Sequence, residues 1–346
     1  MTLSPRVLTR APTGRVTNLT LLAALSLAFA TGTGAVATGS SHGRWTVVAH
    51  GVAAVAVVLL IPWKSRVVRH GLRRARRSRW FSLLLAVLAG TTVLFGLGYT
   101  TGVVLSVGGV PGLWLHIAVA LALVPLALWH IVARRVRVHR TDLSRRNLLR
   151  TGAVGAAAAG LYAAAAGAVA LAGLPGDRRR FTGSYESGSF DPAAMPTTIW
   201  LDDRVPDVDA DRWRLTIVDG SGRRELALPQ LAAFDTHLRA TLDCTSGWYA
   251  HQDWAGAPLS ALVREVGDAR SLLVHSASGY WMRLPVRDLD RLLLAHSVGG
   301  EPLSPGHGFP LRLVAPGRRG FWWVKWVVRI ELQATPWWWQ PPFPLT

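Results

Sequence analysis

Apolar residues crowd the first half of this chain in long runs and are scattered through the second half in short ones. Five runs, at about 18–38, 45–63, 80–107, 113–133 and 151–174, approach the ~20 residues with which a helix crosses a bilayer. The third is the longest and breaks at Gly108 and Gly109. The fourth contains Pro125, which frees a backbone carbonyl and predicts a kink. From 175 onward the pattern changes. Residues 175–195 are rich in Gly, Ser and Pro and read as a tether. Strand-like runs follow at 213–218, 271–275, 280–284, 311–314 and 326–332, with helical patterns near 227–235, 258–266 and 287–295. The expectation is an all-α transmembrane bundle of about five helices over 1–174, then an α+β domain over 196–346.

Charge divides the chain at the same place. Residues 1–175 hold 19 Lys and Arg against one acid, Asp142; the remainder holds 19 of each sign. The whole +18 excess therefore belongs to the apolar half. These cations sit in short loops: eight between Lys64 and Arg79, seven between Arg134 and Arg150, and Arg6, Arg10 and Arg15 at the N-terminus. The connections near 39–44 and 108–112 carry only Arg44. A bilayer explains this alternation and nucleic acid does not, so no nucleic-acid partner is expected. The basic loops belong in the cytoplasm. Five spans then put the second domain outside the cytoplasmic membrane, on the periplasmic or extracellular side.

Histidines are costly in lipid, so each one in a span is a functional candidate. His50 and His116 lie near the starts of the second and fourth spans, at one depth close to the outer face. Two neutral imidazoles so placed can ligate a haem iron, or each can simply hydrogen-bond a helix carbonyl. His130 follows His116 by 14 residues, which returns to within about 40° of the same helix face, roughly 21 Å deeper. That spacing is similar to the haem helices of quinol-oxidising cytochrome b proteins. It makes His130 a candidate ligand for a second haem, for which Lys64 and His70 are poor partners. The segment Ser144-Arg145-Arg146-Asn147-Leu148-Leu149-Arg150 precedes an Ala- and Gly-rich apolar run. It resembles a twin-arginine export signal, placed internally.

The second domain lacks a GxGxxG motif, a P-loop, HExxH and CxxC, which argues against nicotinamide, nucleotide and ordinary zinc chemistry. It holds the chain's single cysteine, Cys244, either an inert buried thiol or a ligand or nucleophile. That residue opens an ordered series. Leu242-Asp243-Cys244-Thr245-Ser246-Gly247-Trp248 is followed by Trp254-Ala255-Gly256-Ala257-Pro258-Leu259, Ser278-Gly279-Tyr280 and Gly300-Glu301-Pro302-Leu303. Then come His307-Gly308-Phe309-Pro310-Leu311-Arg312, Gly320 and Lys325-Trp326. The series resembles the molybdopterin-binding domain of the sulfite oxidase superfamily, and the lone-domain architecture is most similar to the periplasmic methionine sulfoxide reductase catalytic subunit.

The resemblance implies that Cys244 binds molybdenum beside the pterin dithiolene and is the catalytic metal ligand. It implies that Arg312 and Lys325 meet the cofactor phosphate, with Trp323 and Val324 offering backbone contacts beside Lys325. His307 would face the cofactor, and Ser276 or Ser278 would place a hydroxyl near the pterin. Arg318 and Arg319 would lie near the substrate entrance, and Trp248 and Tyr249 are candidates for lining the pocket. The Trp-rich stretches at 321–326 and 337–339 suit either packing or a membrane interface.

The expected protein is a membrane-anchored, multi-pass oxidoreductase with Mo-molybdopterin and haem b. It would move an oxygen atom to or from a small substrate and exchange electrons with the quinone pool through the haem. A sulfoxide-type reductase is preferred to a sulfite-type oxidase, and the twin-arginine translocase would export the folded domain. The rival readings are a non-catalytic membrane electron carrier and a binding or sensory domain on a helical anchor.

Overall fold

The computed structural model describes residues 14–72, 79–134, 139–199 and 203–341. Arg6 and Arg10, the basic residues of 73–78, and the last residues of the 196–346 domain lie outside the described residues. The chain forms two compact units. One runs through Gly183 and holds the long helices; the other begins at Ser184 and includes Val36–Ser41.

The first unit holds five helices long and apolar enough to cross a membrane. They are α1 (Gly14–Ala37), α2 (Gly43–Leu72), α3 (Arg79–Thr101), α4 (Gly112–Ala133) and α5 (Arg145–Leu171). α3 packs along α4 and α2 along α5. Small residues permit close approach: Ala24, Ala56 and Ala158, from α1, α2 and α5, form a buried contact with Val52, Val55 and Val154 around it. Large apolar residues such as Leu84, Val87, Leu94, Leu121 and Leu128 face outward. The third apolar run does not continue as helix to 107. α3 stops at Thr101, and two short strands, β1 (Ser106–Val107) and β2 (Val110–Pro111), pair across Gly108 and Gly109. Both glycines have positive φ, which a tight turn between strands requires and a helix forbids. Asp142, the single acid of this half, receives Arg15 through two hydrogen bonds of 2.8 Å, tying the start of α1 to the approach to α5.

The second unit is α+β, as expected, with two sheets around one core. The first sheet runs β11 (Glu301–Pro302), β10 (Leu293–Val298), β7 (Trp248–Pro258), β3 (Tyr185–Glu186), with β12 (Arg312–Val314) on β10 and β6 (Thr236–Asp243) on β7. The second runs β5 (Gly222–Ala227), β4 (Arg214–Asp219), β13 (Val327–Gln333), β8 (Ser271–Ser276), β9 (Trp281–Pro285). Along β4 the alternation buries Leu215 and Ile217, and these meet Leu272, Val274, Trp254, Leu294, Leu313 and Ile330 in the core. Two short helices, α6 (Leu228–Ala232) and α7 (Leu259–Leu262), occupy the expected helical stretches near 227 and 258.

The stretch expected to be helical at 287–295 is divided instead. Val286–Arg291 is a short 3-10 turn and Leu293 begins β10. Leu293, Leu294 and Ala295 are almost fully buried, and such a short apolar run cannot reveal by periodicity whether it is a buried strand or a helix. The β6–β7 hairpin, on which Cys244 sits, was not anticipated either. Gly256, Asp253 and Gln252 dilute its strand signal, and burial by neighbouring strands overrides their propensity.

Candidate active site

Cys244 occupies the turn that joins β6 to β7. Its N–H donates to the Trp248 carbonyl (2.8 Å) and its carbonyl accepts from the Gly247 N–H (3.2 Å). The residue before it, Asp243, ends β6 pointing inward with a 3% exposed side chain, and a buried carboxylate needs a cation. Arg319 supplies it. Its Nη1 donates to Asp243 Oδ1 at 2.6 Å, and its Nη2 donates to the carbonyl of Cys244 at 3.0 Å. Ser184 Oγ also donates to Asp243, at 2.7 Å. Arg319 is therefore a buried brace for the cysteine turn, not a residue at the entrance. Arg318 is committed too: Nη2 reaches Asp288 at 2.5 Å and the guanidinium stacks 4.8 Å above Trp322. Two adjacent arginines beside Pro and Gly look like surface in a sequence. Only the inward turn of Asp243 shows otherwise.

Two further cations lie in this unit, Arg312 buried and Lys325 partly buried, and both are within electrostatic range of Cys244. Arg312 on β12 is 3% exposed. Its Nη1 donates to the His307 carbonyl (3.0 Å), its guanidinium lies over Trp254 (5.5 Å) and Trp323 (5.8 Å), and its Nε is buried with no partner among the described residues. Lys325 donates to the carbonyls of Thr198 (3.0 Å) and Gly306 (2.5 Å). Among the described residues, only neutral acceptors bond either cation. Burial pushes Arg312 down to about 10, partly opposed by the thiol. Burial, reinforced by Arg312, pushes Lys325 down to about 7. Gly308 makes this pairing sterically feasible. It has φ +112°, and a Cβ there would stand 3.2 Å from the Lys325 Cβ and 3.3 Å from the Arg312 Cβ.

The remaining expected residues surround the same region with varied roles. His307 is buried; Nε2 donates to the Met195 carbonyl (3.0 Å), so Nδ1 accepts from the Ser304 hydroxyl (2.8 Å). Burial and then Arg312 lower its pKa, and both ring nitrogens are engaged within the protein. Ser276 shares a 2.9 Å hydrogen bond with Ser278, whose hydroxyl donates to Asp203 at 3.0 Å. The Trp323 N–H closes a turn on Gly320 (3.0 Å), and the Val324 carbonyl accepts from Leu313 (2.8 Å). Trp322, Trp323 and Trp326 are buried, so the 321–326 stretch serves packing, whereas Trp338 and Trp339 are exposed. Tyr249 packs against His251. Sequence reasoning missed Ser246, whose hydroxyl donates to Cys244 Sγ at 3.1 Å, and Thr198 beyond it. A hydroxyl two residues after the cysteine was the only available signal.

Residues 202–339 match the family described as oxidoreductase molybdopterin binding domain. The uncharacterized oxidoreductase YuiH of Bacillus subtilis (strain 168) is 31% identical over 162 residues, covering 43% of this chain and 81% of YuiH. The chain belongs to the molybdopterin-binding oxidoreductases of the sulfite oxidase superfamily. Mitochondrial sulfite oxidase of Rattus norvegicus is 29% identical over 38% of this chain and 31% of its own length. The Homo sapiens enzyme is 28% identical over 37% and 30%. The chain thus spans about a third of the length of these curated relatives. The solved structure of the sulfane dehydrogenase SoxCD from Paracoccus pantotrophus shares 25% identity over 38% of this chain and 40% of its own, with a TM-score of 0.35. As a member of this family the protein is a molybdenum–molybdopterin enzyme. Its residues fit that group: a lone thiol, the buried Arg312 and partly buried Lys325, which donate to no carboxylate among the described residues, and a guanidinium Nε without a partner among them are compatible with an anionic, thiol-ligated cofactor.

The molybdopterin family match does not reach the helices, where the histidines follow a pattern of their own. His50 on α2 contacts the Ala28 carbonyl of α1 through Nδ1 at 2.8 Å; His116 on α4 contacts the Thr92 carbonyl of α3 through Nδ1 at 2.8 Å. Four residues after each carbonyl comes a glycine, Gly32 and Gly96, where a Cβ would lie 3.1 Å from the adjacent imidazole. The α1–α2 and α3–α4 hairpins thus repeat one device. The two rings stand 6.0 Å apart, centroid to centroid, at 88°. A carbonyl only accepts, so each Nδ1 carries the proton of that bond, which leaves Nε2 as the ring nitrogen not used in it. His130 has a buried Nδ1 without a partner among the described residues. Lys64, within electrostatic range of it, donates to Asn18 Oδ1 at 2.8 Å.

Proposed function

We propose that this oxidoreductase is anchored in the cytoplasmic membrane and transfers oxygen atoms on its outer side, exchanging electrons with the quinone pool through one haem b in the helical unit. The observation that carries the reading is the pair His50 and His116: two imidazoles 6.0 Å apart, each with Nδ1 held by a backbone carbonyl. A hydrogen bond at Nδ1 orients a metal-binding histidine and raises the basicity of Nε2. When bound, the molybdenum centre supplies two-electron oxygen-atom exchange and the haem supplies one-electron transfer.

The protein contributes the rest. Cys244 offers the thiolate, braced through Arg319 and Asp243. Arg312 and Lys325 offer charge to the molybdopterin phosphate. His307, engaged at both nitrogens, holds the turn that carries Gly308, while Ser276, Trp323 and Val324 shape the wall near the pterin. Asn18, Lys64 and His130 provide the hydrogen-bonding groups that a quinone head group needs.

A neutral sulfoxide-type substrate is favoured over sulfite. Arg318 is bonded to Asp288 and Arg319 to Asp243, so neither is free to meet an oxyanion. The positive-inside charge pattern supports an outward catalytic domain, and Arg145 and Arg146 at the start of α5 support export by the twin-arginine translocase.

One experiment tests the proposal as a whole. The purified full chain is analysed for molybdenum and haem, reduced with a quinol analogue, and mixed with sulfoxides, N-oxides or sulfite. The expected result is about one molybdenum and one haem per chain, with the reduced haem spectrum reoxidised by a sulfoxide. Failure of quinol to reduce the haem, or further reduction by sulfite alone, would overturn the assigned direction.

A further inference from the structure

The hydroxyl that touches Cys244 is the end of a longer chain of donors. Ser246 Oγ lies 3.1 Å from Cys244 Sγ and 3.2 Å from Thr198 Oγ1; Trp248 Nε1 donates to the same Thr198 oxygen at 3.0 Å. Cys244 and Ser246 are 8% and 6% exposed, so water does not compete freely for these bonds. We propose that Ser246 is a positioning residue that tunes the molybdenum centre through Cys244, as the last member of a directed relay Trp248–Thr198–Ser246. The proposal rests on the reading of Cys244 as the metal ligand.

The direction follows from the chemistry of the two ends. An indole N–H can only donate, so Thr198 Oγ1 accepts from Trp248. A metal-bound thiolate carries no proton and can only accept, so Ser246 must donate to Sγ. Its single hydrogen being used there, Ser246 can only accept from Thr198, whose own hydrogen is available for that bond. Every hydroxyl in the chain is oriented without choice, and each bond polarises the next. The turn supplies the geometry: Cys244 and Trp248 close it through their backbone bond, placing Ser246 across from Sγ and the indole beside Thr198. Thr198 is itself fixed from the other side, because its carbonyl accepts from Lys325 at 3.0 Å.

A hydrogen bond to a ligating sulfur draws electron density from it and favours the more reduced metal. Ser246→Ala removes that bond together with the one from Thr198. The expected result is a lower midpoint potential, by about 59 mV for a tenfold change in a one-electron equilibrium. Thr198→Val and Trp248→Phe, more distant in the relay, should shift it in the same direction by progressively less, and Ser246→Thr should restore it. The full chain in detergent is titrated electrochemically while the paramagnetic molybdenum signal is followed, with molybdenum content measured for each variant. An unchanged midpoint in Ser246→Ala at full molybdenum content overturns the relay and leaves the ligand assignment standing. A Cys244→Ser variant that keeps its molybdenum and its signal overturns the ligand assignment, and the relay with it.

Discussion

Lys325 and Arg312 show what a single buried charge demands of its surroundings. Lys325 is pushed down to about 7, well below the ~10.4 of an unfolded lysine. Between those values the unfolded chain binds the extra proton and the folded chain does not, so stability rises with pH across that window. In cofactor-free protein the wild type should gain stability relative to Lys325→Met as pH rises from about 7 to 10, read from paired denaturant titrations at each pH. Restoring an anionic cofactor should return the proton to Lys325, so uptake of the cofactor above pH 7 should consume protons in a weakly buffered assay. Arg319 makes a complementary case. Arg319→Leu removes the cation that meets the buried Asp243 carboxylate and should cost about 3–5 kcal/mol. The double variant Arg319→Leu with Asp243→Leu should recover much of that loss, and a double-mutant cycle by chemical denaturation measures the coupling. His50 and His116 could be named from the sequence because histidine is costly in a span, and Cys244 because it is the single thiol; Arg312 and Lys325 were named through the family resemblance alone. Arg319, Ser246 and Thr198 could not, because arginine in a turn and hydroxyls near a cysteine are ordinary until their partners are known.

At the scale of elements, the two helical hairpins repeat a carbonyl, a glycine four residues later, and an imidazole on the next helix. If that device holds a haem, His50→Ala and His116→Ala should each abolish or strongly weaken its absorbance. Gly32→Leu and Gly96→Leu should perturb the spectrum of the purified protein by pushing the ring away. A haem spectrum unaltered by either histidine substitution would show that these imidazoles do nothing more than brace neighbouring helices. The five helices were legible because a span needs about 20 apolar residues and nothing else in the chain resembles one. The ends were less so: α3 stops at Thr101 because Gly108 and Gly109 favour a strand turn. In the second unit the edges of the core were legible through alternation, as along β4. The central β6–β7 hairpin was not, since a strand covered by neighbours needs no clean period-two pattern.

For the whole molecule, the proposed outward orientation requires that a domain loaded with its cofactor in the cytoplasm cross the membrane already folded. Replacing Arg145 and Arg146 together by Lys should strand the second domain in the cytoplasm, detected as loss of surface protease accessibility in intact cells. Unchanged accessibility would exclude the twin-arginine route. The division of labour was written in composition: all of the +18 charge excess accompanies the apolar half, and the balanced half carries the single thiol. Hydropathy, loop charge and an ordered motif are sums over local residue types, so one dimension sufficed to define the five apolar helices, the α+β class, the family and the thiol. Partners are a different kind of fact. That Arg319 turns inward to Asp243, that Lys325 and Arg312 lie against one glycine, and that Trp248, Thr198 and Ser246 align on one sulfur depend on residues up to 76 positions apart meeting at hydrogen-bond distance. Only the packed sheets bring them there, because burial then requires each polar group to find the partner it has lost in water.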